Sequence, residues 1–273
     1  MKKMIPLMAL AAATVCGAGA HADQLDDIIG AGKLRCAVEL DFPPNGSRDG
    51  DNKPIGFDVD YCNDLGKALG VEVEIVDTPE SDRIPAVLSG RADVAVAVAS
   101  DTLERAKTVG FSIPYFVFKT IVLAREDSGI KGPNDIKGHA VGGPAGAYET
   151  LALAEQVKMA NDPKAQMLTF QTQSDTFLAL GQKRIDATYT TSTIAAAIIN
   201  SGKYPGLKVV GDAPVDADYC SLIIKRQEQG LLNYVNLFLN RQVRSGRYAE
   251  LYKKWIGNEA GAAPDLTVSG VYR

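Results

Sequence analysis

An arginine stands where a helix is predicted to begin, within the stretch "VAVASDTLERAKTVGFSIPY" (residues 96–115). Small apolar residues predict a buried strand that ends at Ser100, and Arg105 falls in the first turn of the helix that follows. That turn carries the positive end of the backbone dipole and usually attracts carboxylates. A hydroxyl, free backbone N–H groups and a guanidinium fork together suit a carboxylate ligand. The alternative is a surface ion pair of Arg105 with Glu104 or Asp101.

A second candidate is the glycine-rich stretch "GGPAGAYE" (residues 142–149), which lies between a predicted strand and a predicted helix of about Ala147–Met159. Glycines at such a turn let the backbone approach a ligand closely. The stretch lacks the Lys-Ser/Thr pair of a nucleotide P-loop and the spacing of a dinucleotide fingerprint. An ordinary strand-to-helix turn, with Glu149 complementing the helix dipole, is equally consistent with these residues.

A third candidate is the loop "ELDFPPNGS", which follows the first predicted strand and contains Glu39 and Phe42. An aromatic ring beside a carboxylate can hold an ammonium group through charge and cation–π attraction. The alternative is a packed Phe42 beside a solvated Glu39.

The hydroxyl run at residues 190–193 predicts a helix cap first and a pocket wall second.

Strand-like and helix-like runs alternate along the chain, which indicates the framework that must position these residues. The run "DVDYCNDLGKALG" has apolar residues at helical spacing and ends at Gly70, whereas "DVAVAVA" is typical of a parallel strand covered on both faces. Ser81 and Ser174 are predicted to cap helices. Two successive sets of β-α units predict two α/β lobes, and ligands of such sheets bind beyond the carboxyl ends of the strands.

Composition restricts the classes of function. Lys2 and Lys3, a short apolar run and the "AHA" that ends at Ala22 are typical of a secretory signal peptide, which we expect at residues 1–22. Loss of these two lysines moves the formal charge from −4 to −6, which argues against a general nucleic-acid binder. The single histidine beyond that segment, His139, argues against a zinc site or a Ser-His-Asp site.

Several segments together resemble one family. They are "LRCAVELDFPPNGSRDGDNKPIGFDVDYCNDLGKALG", "RIPAVLSGRADVAVA", "DTLERAKTVGFSIPY" and "NRQVRSGRYAELYKKWIG". In this order they resemble the periplasmic substrate-binding proteins for polar amino acids that feed ABC importers (bacterial solute-binding protein family 3). The resemblance implies a two-lobed periplasmic binding protein fold with two crossing hinge strands, whose lobes close on the ligand. It places lobe 1 at residues 23–115 and 218–257, lobe 2 at 116–215, and a tail at 258–273.

The resemblance also implies a function. We expect a periplasmic protein that captures an amino acid or a similar carboxylate and delivers it to the membrane permease of an ABC importer. It implies a monomer without catalysis, cofactor, metal or nucleic acid. We expect at most one disulfide among Cys36, Cys62 and Cys220. The first choice is Cys36–Cys62, since both lie in lobe 1, on a strand and on a helix that should pack together. The alternative is that both are small buried thiols.

Roles in ligand binding follow from the resemblance, position by position. Arg105 matches the arginine that clamps the ligand α-carboxylate, and Ser100 matches a hydroxyl beside it. Phe42 lies where an aromatic ring covers the ligand, and Glu39 matches an acidic position that can meet a cationic side chain. The lobe 2 loop that contacts the carboxylate and side chain is matched by Ala147, Tyr148 and Glu149.

The sequence departs from the family pattern at three expected site positions. Thr191 stands where the family usually has the aspartate that binds the α-ammonium, Glu80 where it often has an aromatic residue, and Val98 where it has a small polar one. A buried ammonium without a carboxylate is costly. Either Glu149 or Glu39 therefore supplies the charge, or the ligand is a modified or non-α amino acid.

Two other functions are compatible with this fold. A compatible solute or an opine also carries a carboxylate. Some relatives are cyclohexadienyl dehydratases, which use a glutamate shortly after the lobe 2 strand, but the corresponding stretch "TTSTIAAA" contains no acid. This absence disfavours the enzyme.

Overall fold

A computed structural model of the chain describes residues 23–257. The predicted signal peptide at residues 1–22 and the predicted tail at residues 258–273 lie outside this range. Among the described residues, none of the helices has the length and apolar character needed to span a membrane.

Helices and strands alternate through the described residues, as the β-α pattern predicts. The helices are α1 (Gln24–Ala31), α2 (Phe57–Leu69), α3 (Arg83–Leu88), α4 (Leu103–Ala106), α5 (Tyr148–Ala160), α6 (Gln173–Gly181), α7 (Ser192–Asn200), α8 (Gln229–Arg244) and α9 (Arg247–Trp255). The strands are β1 (Lys33–Val38), β2 (Ser47–Arg48), β3 (Pro54–Ile55), β4 (Glu72–Asp77), β5 (Val94–Ser100), β6 (Val109–Phe118), β7 (Thr120–Arg125), β8 (Ala140–Pro144), β9 (Gln166–Phe170), β10 (Ala187–Thr191), β11 (Leu207–Asp212) and β12 (Asp218–Lys225).

These strands form two five-stranded sheets and a small hairpin of β2 and β3. The first sheet has the order β4-β1-β5-β12-β6, and the second has the order β11-β7-β10-β8-β9. Strands β4, β1 and β5 are parallel, as are β9, β8 and β10, while β12 and β7 run antiparallel to their neighbours. The protein has the predicted two-lobed α/β fold.

The chain passes between the two sheets twice. Strand β6 stays in the first sheet to Phe118, and β7 enters the second sheet at Thr120. The return lies between Asp212, at the end of β11, and Asp218, at the start of β12. The lobe boundary predicted at residues 115 and 116 therefore falls inside β6, and the boundary predicted at residue 218 is the first residue of β12.

Strand β5 occupies the middle of the first sheet and is buried over its whole length. Because side chains alternate across a strand, its three valines pack into one core cluster and its three alanines into another. The small alanine face lies against α3. This close approach brings the first residue of α3, Arg83, against the carboxyl end of β5.

The predicted disulfide is confirmed. Cys36 of β1 and Cys62 of α2 are bonded, with their Cα atoms 6.1 Å apart. Cys220 is a free, buried thiol in β12.

Local capping differs from the prediction at two serines. Ser81 lies within a short 3-10 turn, Glu80–Asp82, that runs directly into α3, so it is not the helix cap. Helix α6 is capped by Thr172, whose hydroxyl accepts from the backbone N–H of Asp175 at 3.1 Å, and Ser174 is its second residue. The predicted helix end at Gly70 is confirmed, since this glycine adopts a left-handed conformation with φ 74°.

Candidate functional site

Arg105 joins the two lobes at the carboxyl ends of β5 and β8. One guanidinium nitrogen donates to the carbonyl oxygen of Ser100 at 3.0 Å, and the other donates across the cleft to that of Gly146 at 2.6 Å. The surface ion pair does not form, because Glu104 pairs with Lys107 and Asp101 accepts from Ser221. The guanidinium therefore faces the space between the lobes.

Gly146 lies at the closest approach of the second lobe to Arg105. Its φ of 84° is in the left-handed region that favours glycine, and a Cβ there would lie 3.0 Å from the Cα of Ser81 in the first lobe. The glycine-rich stretch thus brings backbone of the second lobe against the first, which is more than an ordinary strand-to-helix turn requires.

Arg83 is a buried cation that sequence analysis missed. It is only 2% exposed, and its guanidinium donates to the carbonyl oxygens of Ala97 at 2.6 Å and Val98 at 3.1 Å. It also lies 3.3 Å from a carboxylate oxygen of Glu80 and 3.7 Å from one of Glu39. Burial lowers the pKa of Arg83, but the charges of these two glutamates raise it overall. An arginine at the start of a short helix carries no sequence signal that distinguishes it from a surface residue.

Three glutamates predicted to bind ligand are buried together in the cleft. Glu39, Glu80 and Glu149 are 3%, 7% and 7% exposed. Burial raises the pKa of Glu80 to about 7, although the charges of Arg83 and Arg105 lower it. Burial, followed by the charges of Asp218 and Glu80, raises the pKa of Glu149 to about 8. Burial and the charge of Glu80 also raise the pKa of Glu39. Glu39 is therefore not solvated, and the alternative predicted for it is wrong.

Asp218 is a fourth buried carboxylate, also missed from the sequence. Its side chain accepts from the hydroxyl of Ser100 at 3.0 Å and lies 3.6 Å from the thiol of Cys220. Burial raises the pKa of Asp218, and the hydrogen bond from Ser100 opposes this shift. The residue begins β12, which returns from the second lobe, so only the crossover brings it to Ser100. Its carboxylate holds the hydroxyl that the resemblance placed beside a ligand carboxylate.

Val98 and Thr191 each have a structural feature of their own: Val98 has an unusual backbone conformation, and Thr191 caps a helix. Val98 adopts φ 45°, a left-handed conformation that is rare for a β-branched residue. Thr191 caps α7, as the hydroxyl run predicts, and its side chain accepts from the backbone N–H of Ile194 at 3.3 Å. Thr191 is buried and neutral, so it supplies no counter-charge.

The remaining predicted site residues are Phe42, Ala147 and Tyr148. Phe42 is buried and contacts Phe118 edge to face, with ring centroids 5.6 Å apart. Ala147 precedes the first residue of α5, Tyr148, which is half-buried and follows the close approach at Gly146.

Two cavities of opposite charge meet at Glu80. One, of about 320 Å³, lies between the lobes and is lined by the carboxylates of Glu39, Asp41, Asp77 and Glu80, with Gln171 and Thr172 opposite. The other, of about 180 Å³, is lined by Arg83 and Arg105 beside Glu80 and Gly146. A larger cavity of about 750 Å³ lies among residues of α2, α8 and α9 and includes none of the predicted site residues.

A family model described as bacterial extracellular solute-binding proteins, family 3, matches residues 34–258. The chain belongs to this family. Among its relatives, the arginine-binding extracellular protein ArtP of Bacillus subtilis (strain 168) is 28% identical over 266 residues, covering 95% of this chain and all of ArtP.

Solved structures of the same fold include an ancestral arginine-binding protein bound to arginine. It is 32% identical, with a TM-score of 0.76, and the match covers 82% of this chain and 98% of that one. The crystal structure of the ancestral amino acid-binding protein AncCDT-1, a precursor of cyclohexadienyl dehydratase, has a TM-score of 0.76 at 31% identity and covers 86% of this chain and all of AncCDT-1. The general role of this solute-binding protein is thus to bind a small solute of the amino-acid class, and its family is extracellular. Within residues 23–257, no group of three or more His, Cys, Asp or Glu side chains has an arrangement that could hold a metal ion.

Proposed function

We propose that this solute-binding protein works in the periplasm as the binding component of an ABC importer and captures an amino acid that carries a cationic side chain. Arg105 is the proposed clamp for the ligand carboxylate. The observation that carries the proposal is the excess of buried negative charge in the cleft, where four carboxylates face two guanidinium groups.

This excess is unfavourable without a ligand. Carboxylates buried together resist ionisation because they lose hydration and repel one another, as the raised pKa values of Glu80 and Glu149 reflect. A ligand with cationic groups supplies the missing positive charge. A purely anionic ligand would meet Arg105 and Arg83 but leave the glutamates unneutralised.

The two cavities support the same class of ligand. The carboxylate-lined cavity of about 320 Å³ has the size of a small-ligand pocket, and it adjoins the buried Glu39 and Glu80. The neighbouring cavity holds both arginines. A zwitterion with a second cation at its far end matches this separation of charge. Either Glu149 or Glu39 then stands in for the aspartate replaced by Thr191.

An opine built on arginine has the same combination of carboxylate and guanidinium and is the alternative ligand. Dehydratase activity is the alternative of another class, raised by the similarity to AncCDT-1. The stretch from Thr190 to Ala197 contains no acid, and the hydroxyl of Thr191 caps α7. We therefore propose binding without catalysis, by a monomer that docks on a membrane permease.

A thermal-shift screen of the chain from Asp23 onward tests the ligand class. The panel contains L-arginine, its neutral analogue L-citrulline, L-glutamine, octopine, glycine betaine and prephenate. A ligand at about 100 times its Kd stabilises the folded state by about 2.7 kcal/mol. We expect a shift with L-arginine that clearly exceeds that with L-citrulline. Equal shifts contradict the cationic ligand, and a shift with octopine alone selects the opine. In a separate product assay, turnover of prephenate contradicts a role in binding only.

A further inference from the structure

A buried network behind the ligand cleft supports Val98, and none of its polar members is a predicted ligand contact. The backbone N–H of Val98 donates to the hydroxyl of Tyr115 at 3.0 Å. That hydroxyl donates to a carboxyl oxygen of Asp58 at 3.0 Å, which also accepts from the side chain of Asn45 at 3.3 Å. Tyr115, Asp58 and Asn45 are each no more than 1% exposed.

Val98 lies at an irregularity in the first sheet. Ala95 of β5 pairs with Ile223, and Ala99 pairs with Ser221, so residues 96–98 face the single residue Leu222 of β12. Such bulges re-aim the backbone and are common beside functional sites. The left-handed φ of Val98 accompanies this bulge and is unfavourable for a β-branched side chain.

The bulge directs two carbonyl oxygens at Arg83. The oxygens of Ala97 and Val98 accept from the same guanidinium nitrogen of Arg83, Nη1, at 2.6 and 3.1 Å. The peptide groups that flank Val98 are therefore held on both sides, through the N–H by Tyr115 and through the C=O by Arg83. Because Arg83 lies beside Glu39 and Glu80, its position determines the charge pattern that a ligand meets.

We propose that Tyr115, oriented by Asp58, is a positioning residue that holds Val98 in its left-handed conformation and thereby sets the guanidinium of Arg83 for ligand binding. Without the tyrosine hydroxyl, the buried N–H of Val98 loses its partner and the strained conformation loses its support. Val98 then relaxes to a negative φ, its carbonyl turns away from Arg83, and the cation shifts relative to the glutamates. This inference rests on the proposed function only for its effect on affinity.

The test is a double-mutant cycle of Tyr115→Phe and Val98→Gly. Glycine adopts a positive φ without strain, so it should hold the bulge without the tyrosine hydroxyl. Tyr115→Phe alone should weaken L-arginine binding roughly tenfold, the scale for a lost buried hydrogen bond. In the Val98→Gly background the same change should have less than half that effect on the logarithm of Kd. Tyr248→Phe is the matched control, because this hydroxyl in the same aromatic cluster has no hydrogen-bond partner within residues 23–257.

Crystal structures of the ligand-free variants give a second readout that does not need a ligand. In Tyr115→Phe we expect a negative φ at Val98 and a longer distance from its carbonyl oxygen to Nη1 of Arg83. An unchanged φ, or an equal loss of affinity in both backgrounds, overturns the proposal. If L-arginine does not bind the wild type, the proposed function is wrong. The φ of Val98 and the distance from its carbonyl oxygen to Arg83 in the crystal structures then still test this inference.

Discussion

The carboxylate of Asp41 in the first lobe accepts two hydrogen bonds from Ser174 in the second. The backbone N–H of Ser174 donates at 2.8 Å and its hydroxyl at 2.5 Å. Ser174 is the second residue of α6, so Asp41 satisfies a backbone N–H that has no partner within the helix and lies at the positive end of its dipole. Because they join the two lobes, separation of the lobes would break both bonds.

Removing this contact should favour the open form. In Asp41→Ala, the closed form should lose about 0.3–1 kcal/mol, the range for a partly exposed carboxylate at a helix start. Small-angle X-ray scattering of the ligand-free protein should then give a larger radius of gyration. Asp162→Ala is the control, since Asp162 accepts from the backbone N–H of Lys164 within one lobe. The same radius in Asp41→Ala and wild type would show that the contact does not influence closure.

Arg105→Ala should weaken ligand binding by about 2–4 kcal/mol, because a desolvated carboxylate loses its charge partner. The fold should survive, since the residue is only half-buried and contacts two backbone carbonyls. Isothermal titration calorimetry with the best amino acid from the screen measures the loss. Arg226→Ala is the matched control, because the exposed Arg226 also donates to a backbone carbonyl of the first lobe, that of Lys107. An unchanged affinity in Arg105→Ala removes the proposed clamp.

Glu149→Gln should reduce affinity for L-arginine by about 1.5–3 kcal/mol, the scale of a charge-assisted hydrogen bond. The glutamine keeps the shape and hydrogen-bonding capacity but loses the charge. A loss seen with L-arginine and not with L-citrulline assigns Glu149 to the side-chain cation, and a loss with both assigns it to the α-ammonium. Glu39→Gln tests the other candidate in the same titration. If both variants bind like the wild type, the counter-charge proposal is wrong and Glu149 only complements its helix dipole.

The ligand-free protein should become less stable as pH rises from about 4.5 to about 8. The pKa values of Glu80 and Glu149 are raised by burial from 4.5 to about 7 and about 8, so the folded state holds more protons than the unfolded chain in this interval. Burial raises the pKa of Asp58 to about 8, which acts in the same direction. The stabilisation is complete below the unfolded value and is lost as pH passes the folded values.

Urea unfolding across this pH range measures the slope. Glu149→Gln should flatten it between about pH 5 and 8, because the glutamine does not titrate. Glu155→Gln is the control, as Glu155 is exposed on the same helix and pairs with Lys158. Equal slopes in the two variants contradict a raised pKa at Glu149.

The Cys36–Cys62 bond closes a loop with a sequence separation of 26, which should stabilise the fold by about 3.5 kcal/mol in the chain-entropy account. Reduction should lower the free energy of unfolding by this amount. Alkylation of the denatured, unreduced chain from Asp23 onward should modify Cys220 alone. Three modified cysteines in mass spectrometry would refute the bond.

The sequence alone determined the alternation of strands and helices, the two lobes and the family. These features depend on local periodicity, on turn residues such as Gly70, and on motifs spread along the chain in a recognisable order. It also determined the candidates Arg105 and Glu149, because a cation or a carboxylate beside a strand end can be identified from neighbouring residues. The disulfide followed because its strand and helix belong to the same lobe.

The electrostatics of the cleft depend on tertiary contacts that no local pattern predicts. Arg83 is ordinary in the sequence of a short helix, and it becomes a buried cation because the alanine face of β5 lets α3 pack closely. Asp218 reaches Ser100 only through the second crossover between the sheets. Ser174 was predicted as a cap, yet it is the residue whose N–H Asp41 satisfies from the other lobe. In each case the strength of the charge interaction or hydrogen bond depends on burial and on partners that are distant in sequence. Local periodicity carries no information about either.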